Sequence, residues 1–216
     1  MLAFRAHEVD PAMVAFTQKF YELLPQKVLD DEEMLWVIDI EPGYVAYAAK
    51  RITDWSSDGN IGQIPVVVCS RGGALDDALA VYSLLRYTPK YKRAYVFTAA
   101  SAAVIVALAC DERIGFPTTT ILLHDLSTEF AGRGDYFFDE AEGIRLYQNI
   151  ITDIITKRTK IPREVWQEKR RSEWYMSAEE ALRWGILTSI ENEDELSPPQ
   201  VPKKPKSATK KRKKKD

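Results

Sequence analysis

The feature that most constrains this chain is a repeating unit: a short apolar run with strand character, a turn of small residues, then a helix-forming stretch. "PVVVCS" (65–70) leads through "RGG" into the amphipathic "LDDALAVYSLLRY" (75–87), and "AYVFT" (94–98) leads into a small-residue helix over 102–110. "TILLH" (120–124) reads as the next strand. Uniformly apolar strands belong to sheets buried on both faces. Their alternation with helices points to parallel strands joined by crossover helices, an α/β fold. Upstream, "MLWVIDI" (34–40) reads as a strand and "YVAYAAKRITDW" (44–55) as a helix. Downstream, a long helix is expected over 136–157, and a shorter one after Pro162. A last helix is capped by Ser177 with Glu180 three residues on, a capping box, and is ended by Gly185. "ILTSI" (186–190) closes the fold.

The flanks read differently from this central domain, 34–190. Asp10 and Pro11 mark a helix start, and "AMVAFTQKFYELLPQKVL" keeps helical periodicity until Pro25 disturbs it, so 1–33 is an N-terminal helical arm. From Glu191 the composition turns acidic, then Pro-rich, then basic, with almost nothing apolar to bury; 191–216 reads as a disordered tail. The net charge of −2 hides this asymmetry. Nine Lys/Arg and one Asp after Pro202 make the end of the tail +8, which leaves −10 for the rest. An acidic body argues against nucleic-acid binding by the fold itself and leaves only the Lys-rich tail for such a contact. That tail is either a solvated solubility element or a tether to nucleic acid or an acidic partner.

Cys69 and Cys110, the two cysteines, each lie in an apolar run and read as small buried hydrophobes rather than a disulfide framework or zinc site. The N-terminus lacks the pattern of a secretory signal. The longest apolar run, 99–110, falls short of the roughly 20 residues that span a bilayer. A cytoplasmic protein without membrane contact is expected.

Ligands of parallel α/β sheets gather at the carboxyl ends of the strands, where helix N-termini present free N–H groups. Three loops offer chemistry there. In "SRGG" (70–73), Gly72 and Gly73 let the backbone approach a ligand and aim N–H groups at developing negative charge, although a glycine pair also makes a simple tight turn. Ser101 opens the helix after 94–98. It is either an N-cap or a nucleophile, with small neighbours leaving room at its hydroxyl and the Ala102 N–H adding to an oxyanion site. His124 ends a strand and suits a general base at neutral pH, although a lone histidine there is commonly structural. No metal-ligand spacing, phosphate loop or dinucleotide fingerprint occurs, so no cofactor is expected.

Taken together, "SRGG", "AASAA", "LLHDL" and "EWYMSAEEALRWGIL" resemble, in order and spacing from about residue 34 to 190, the motifs of the Clp protease proteolytic subunit: "SPGG", "AASMG", "MIHQP" and "D-x-F-x-S-A-x-E-A-x-x-x-G-L". The resemblance implies a ClpP/crotonase-like spiral of βαβ units with a protruding handle helix, here the helix from Tyr136. It implies a serine endopeptidase with Ser101 as nucleophile, His124 as general base and then acid, and Glu173 in the place of the family's Asp. Gly72, Gly73 and Ala102 would supply the oxyanion hole. By the same resemblance, polypeptide substrates would be cleaved inside a homo-oligomeric ring, a heptamer or double heptamer, fed by an ATP-driven AAA+ unfoldase.

The chain also departs from the pattern. Arg71 replaces the "SPGG" proline, Ala-Ala follows the serine where Met-Gly is usual, and "EKRRS" stands before Glu173. Trp174 and the looser nucleophile motif are similar to Clp-type peptidases of bacteriophages. Two alternatives stay open at this point: a non-catalytic ring subunit that assembles with an active paralogue, and a crotonase-type enzyme acting on acyl-coenzyme A.

Overall fold

Five strands lie side by side because their apolar runs have two faces to bury. In the computed structural model, which describes residues 34–59, 61–127 and 136–191, they are β1 (Leu35–Val37), β2 (Gln63–Ser70), β3 (Tyr91–Ala100), β4 (Glu112–Leu123) and β5 (Trp174–Ser177), in the order β1-β2-β3-β4-β5. A short β6 (Ser189–Ile190) pairs with the start of β4. The helices are α1 (Tyr44–Ser57), α2 (Leu75–Tyr87), α3 (Ala102–Leu108), α4 (Tyr136–Arg158), α5 (Arg163–Lys169) and α6 (Ala178–Arg183). Strands β1 to β4 are parallel and the connections between them run through helices, so the α/β architecture holds. Strand β5 is antiparallel to β4, an element the strand-helix alternation did not foretell. The expected N-terminal arm and the tail beyond Glu191 lie outside the described residues.

All six helices contribute to one core on a single face of the sheet. Leu35, Val37, Ile64, Val66, Val68, Ala94, Val96, Ile121 and Leu123 point into it, and α3 is buried along its whole length. The opposite face carries a thinner layer of Met34, Val67, Tyr95 and Ile114, with Phe97 and Phe116 stacked 4.7 Å apart beside it. That layer stops short of Cys69. The thiol is exposed rather than buried, because side chains alternate along a strand and Cys69 falls on the thin side. Cys110, by contrast, is buried.

Two prolines mark where pairing is interrupted. Pro65 sits in β2 one residue before β1 begins to pair, at Leu35 with Val66, so its missing N–H is not needed on that side. Pro117 lies where β4 bulges: Val96 pairs with Gly115 but Thr98 with Thr120, so extra residues of β4 loop out. The buried Thr119 closes the loop, its Oγ1 accepting from the Phe116 N–H (2.7 Å) and donating to the Val96 carbonyl (2.6 Å). The mixed polar, Gly and Pro composition of this stretch conceals a strand that starts at Glu112, not at Thr120 as expected.

At Ser177 half of the expected capping box forms. The hydroxyl accepts from the Glu180 N–H (3.3 Å), while the Glu180 side chain instead accepts from the Trp174 indole N–H (3.2 Å). Gly185 follows α6 with φ +74°, a left-handed helix stop. Asp77, on α2, caps α1 from a distance, its Oδ1 accepting from Gly43 N–H (3.0 Å) and Val45 N–H (2.8 Å).

Candidate active site

The carboxyl ends of β2, β3 and β4 and the start of the antiparallel β5 fall along one edge of the sheet. Ser101 follows β3 directly and donates its N–H to the Leu122 carbonyl (2.9 Å). His124 follows β4 and Glu173 precedes β5, each one residue beyond the last β4–β5 pair, Leu123 with Trp174. The register therefore sets Ser101, His124 and Glu173 at the ends of three neighbouring strands, which are about 4.8 Å apart.

The backbone at Ser101 is unusual. Its φ of +55° and ψ of −127° make it the one non-glycine residue with positive φ among the described residues. Such a conformation costs on the order of 1–3 kcal/mol and persists only where surroundings enforce it. The side chain makes no capping hydrogen bond, although Ser101 occupies the N-cap position of α3. The N-cap reading of this serine therefore finds no support in its geometry, and the sharp strand-to-helix turn leaves the hydroxyl without a partner among the described residues.

The glycine loop is packed against this turn. A Cβ on Gly72 would lie 2.8 Å from both the Ala100 carbonyl and Ser101 Cβ, and φ is +105° there, so glycine is required twice over. Gly73 has φ +139° and passes so close to the Ile40 backbone that any side chain is excluded. Ile40 anchors the loop by donating to the Gly72 carbonyl (3.2 Å) and accepting from the Ala74 N–H (2.6 Å). The Gly72 N–H is engaged by Ser70 Oγ (3.1 Å), a buried hydroxyl that sequence reasoning passed over although it lies in the "SRGG" turn. The Gly73 and Ala102 N–H groups meet no acceptor among the described residues.

His124 is half-buried, and its Nδ1 approaches the Asp125 carbonyl (2.5 Å). A carbonyl only accepts, so Nδ1 carries the proton and Nε2 is left as an acceptor. Asp125 is in turn held by Arg170, whose carbonyl accepts its N–H (3.0 Å) and whose guanidinium pairs with its carboxylate (3.4 Å). Gln148 of α4 donates to the same carboxylate (3.0 Å). Residues 124, 125 and 127 after β4 and 170–173 before β5 line an open cavity of about 480 Å³, so His124 and Glu173 share a wall. The Glu173 carboxylate is exposed, and its charge pushes the neighbouring Tyr175 phenol up. No hydrogen bond links Ser101 Oγ, the imidazole and Glu173 among the described residues. Nor is there, among them, a group of three or more His, Cys, Asp or Glu side chains able to hold a metal, or a helix long and apolar enough to cross a membrane.

Comparison with known proteins converges on one family. The sequence profile described as Clp protease matches residues 26–194. The ATP-dependent Clp protease proteolytic subunit of Deinococcus radiodurans is 26% identical over 131 residues, which cover 59% of this chain; the match spans 64% of that relative's length. A point mutant of ClpP1 from Listeria monocytogenes superposes with a TM-score of 0.67 at 19% identity, over 82% of this chain and 96% of that one, a likeness of fold. With the profile covering most of its length and the fold alike, the chain belongs to the Clp protease family.

Proposed function

We propose that the chain is a serine endopeptidase in which Ser101 attacks a peptide carbonyl and His124 moves the proton. The observation that carries this reading is the enforced turn at Ser101, with Gly72 backed against it and unengaged N–H groups at Gly73 and Ala102. In the first step Ser101 Oγ bonds to the carbonyl carbon while its proton passes to His124 Nε2, and the oxyanion accepts from the Gly73 and Ala102 N–H groups. Collapse breaks the C–N bond, and the imidazolium returns the proton to the leaving amine. Water then cleaves the acyl-enzyme by the same route. Glu173 stands third in this set and takes over the Nδ1 contact that the Asp125 carbonyl makes in the resting site, where it holds the productive tautomer.

The substrate is polypeptide, and the working form is a ring of subunits fed by an ATP-driven unfoldase. The exposed Phe138, Leu146 and Ile150 of α4 support an assembly role for that helix. A fluorophosphonate probe tests the chemistry. Labelling of Ser101 with cleavage of short fluorogenic peptides is expected; absence of both in the assembled protein rejects it. The absence of hydrogen bonds among Ser101, His124 and Glu173 favours one second reading, a ring subunit that gains activity only beside an active paralogue. Equal activity per subunit with and without that paralogue eliminates it.

A further inference from the structure

Every polar group of the residue after His124 is engaged. The Asp125 N–H donates to the Arg170 carbonyl (3.0 Å), and its own carbonyl meets His124 Nδ1. Of the carboxylate oxygens, Oδ1 accepts from the Leu126 N–H (2.9 Å) and from Gln148 Nε2 (3.2 Å), while Oδ2 accepts from the same Gln148 nitrogen (3.0 Å) and faces the Arg170 guanidinium (3.4 Å). The carboxylate grips the frame, and the carbonyl touches the base.

The two gripping residues belong to different elements whose spacing is fixed from inside. Gln148 is on α4, and its carbonyl accepts from the Thr152 hydroxyl (2.6 Å), whose Oγ1 in turn accepts from the Trp166 indole N–H of α5 (3.1 Å). The Trp166 carbonyl accepts from the Arg170 N–H (2.9 Å), and the Arg170 carbonyl accepts from Asp125. A circuit of hydrogen bonds through Asp125, Gln148, Thr152, Trp166 and Arg170 thus closes on itself. Thr152 and Trp166 are buried, so water does not compete for the link between the helices. A loop residue is ordinarily free to turn its peptide plane; here turning it breaks the circuit.

We propose that Asp125 is a positioning residue for His124, and that Gln148 and Arg170 act through it. Held at its N–H and at its carboxylate, Asp125 keeps its carbonyl aimed at Nδ1. The proton therefore stays on Nδ1, and Nε2 remains the acceptor for the Ser101 proton. Without the clamp the imidazole turns freely and takes the Nε2–H form that an unconstrained histidine favours, which cannot accept at Nε2. Gln148 is the firmer grip. It reaches both carboxylate oxygens, whereas the guanidinium makes one longer contact and its Nε is buried without a partner among the described residues. The inference rests on the peptidase reading above and adds to it residues that act through His124.

The test uses the full-length protein. D125A and Q148L are each expected to lower kcat on a fluorogenic peptide at least about 10-fold, with KM within about twofold, because the base is misplaced while the contacts of the substrate are untouched. D125N, which keeps an acceptor for Leu126 and Gln148, is expected to recover part of the loss, and D125A/Q148L to be no slower than D125A alone. A second measurement needs no turnover. His7 and His124 are the two histidines of the chain, so in H7N the imidazole nitrogen signals belong to His124. Magic-angle-spinning 15N NMR of the neutral imidazole is expected to show a protonated Nδ1 and a bare Nε2, and Q148L in that background to shift the balance towards Nε2–H. An Nε2–H imidazole in H7N, a Q148L spectrum identical to it, or kcat unchanged in both D125A and Q148L overturns the positioning role and leaves the peptidase standing. An unlabelled Ser101 together with no cleavage of any peptide removes the peptidase reading instead, and the nitrogen signals then decide whether the clamp sets the imidazole.

Discussion

The two ends of the same strands are built on opposite principles. At the amino ends of β3 and β4 the charged groups meet partners. Lys92, only 5% exposed, donates to the Thr88 carbonyl (3.2 Å) and pairs with Asp111 (3.1 Å), which also accepts from the Lys92 N–H and from Arg86. Arg93 pairs with Glu112, and the buried Arg113 donates to the carbonyls of Cys110 (2.8 Å), Gly185 (3.1 Å) and Ile186 (2.7 Å). At the carboxyl ends a serine stands in a strained turn, two N–H groups are unengaged, and an imidazole keeps one nitrogen as an acceptor. The first end holds the sheet together; the second spends stability on exposing reactive groups.

The sharpest way to break this contrast is at Ser101. S101G accepts φ +55° without strain, so it is expected to abolish fluorophosphonate labelling and lower peptide turnover by at least about 10³-fold, while raising stability by about 1 kcal/mol in chemical denaturation. A variant both inactive and less stable would show that the turn is not strained.

The opposite end predicts the reverse pattern. D111N leaves Lys92 buried without its counter-charge and should lose about 3 kcal/mol at pH 7, with Ser101 labelling retained. The pH profile sharpens it. Burial alone would raise the Asp111 carboxyl, but the N–H and ammonium of Lys92 and the charge of Arg86 outweigh it and hold the group below its ordinary value. Its contribution is therefore complete above the unfolded pKa near 4 and is lost as pH falls through the lower folded value. Wild type should lose stability across that acid range more steeply than D111N; parallel profiles would exclude Asp111 as the source.

A smaller effect is expected within the site. S70A removes the acceptor of the Gly72 N–H and loosens the loop behind Ser101, so kcat should fall about 10-fold with KM nearly unchanged. S70T, which keeps the hydroxyl, should restore most of it. The smallest effect concerns the two thiols. Burial pushes Cys110 up to about 12, so it should react with a thiol reagent only after unfolding, whereas Cys69 reacts in the native protein.

The sequence made the parallel core legible because its strands are uniformly apolar and its helices periodic. It hid whatever depends on register. Strand β5 is four residues of alternating burial, too short to carry a pattern, yet its antiparallel pairing is what brings Glu173 to the end of the sheet where His124 lies. Cys69 reads as buried because an apolar run implies two covered faces, and only the folded sheet reveals that one covering layer ends early. For Ser101, an N-cap and a nucleophile share one residue type and one position. The backbone angles and the missing cap bond, neither of which is written in composition, speak against the cap. Ser70 sits inside a motif noticed for its glycines, and its relevance emerges from its contact with the Gly72 N–H.

The bulge at Pro117 reaches beyond its own strand. By splitting β4 into two offset halves it lets β6 dock along the first and β5 along the second, so one long outer margin of the sheet is closed by two short strands of opposite direction. The remaining margin, among the described residues, is the three-residue β1. Among the described residues, little unpaired main chain is left on which another polypeptide could be laid as an extra strand, which guards the fold against edge-to-edge fibre growth.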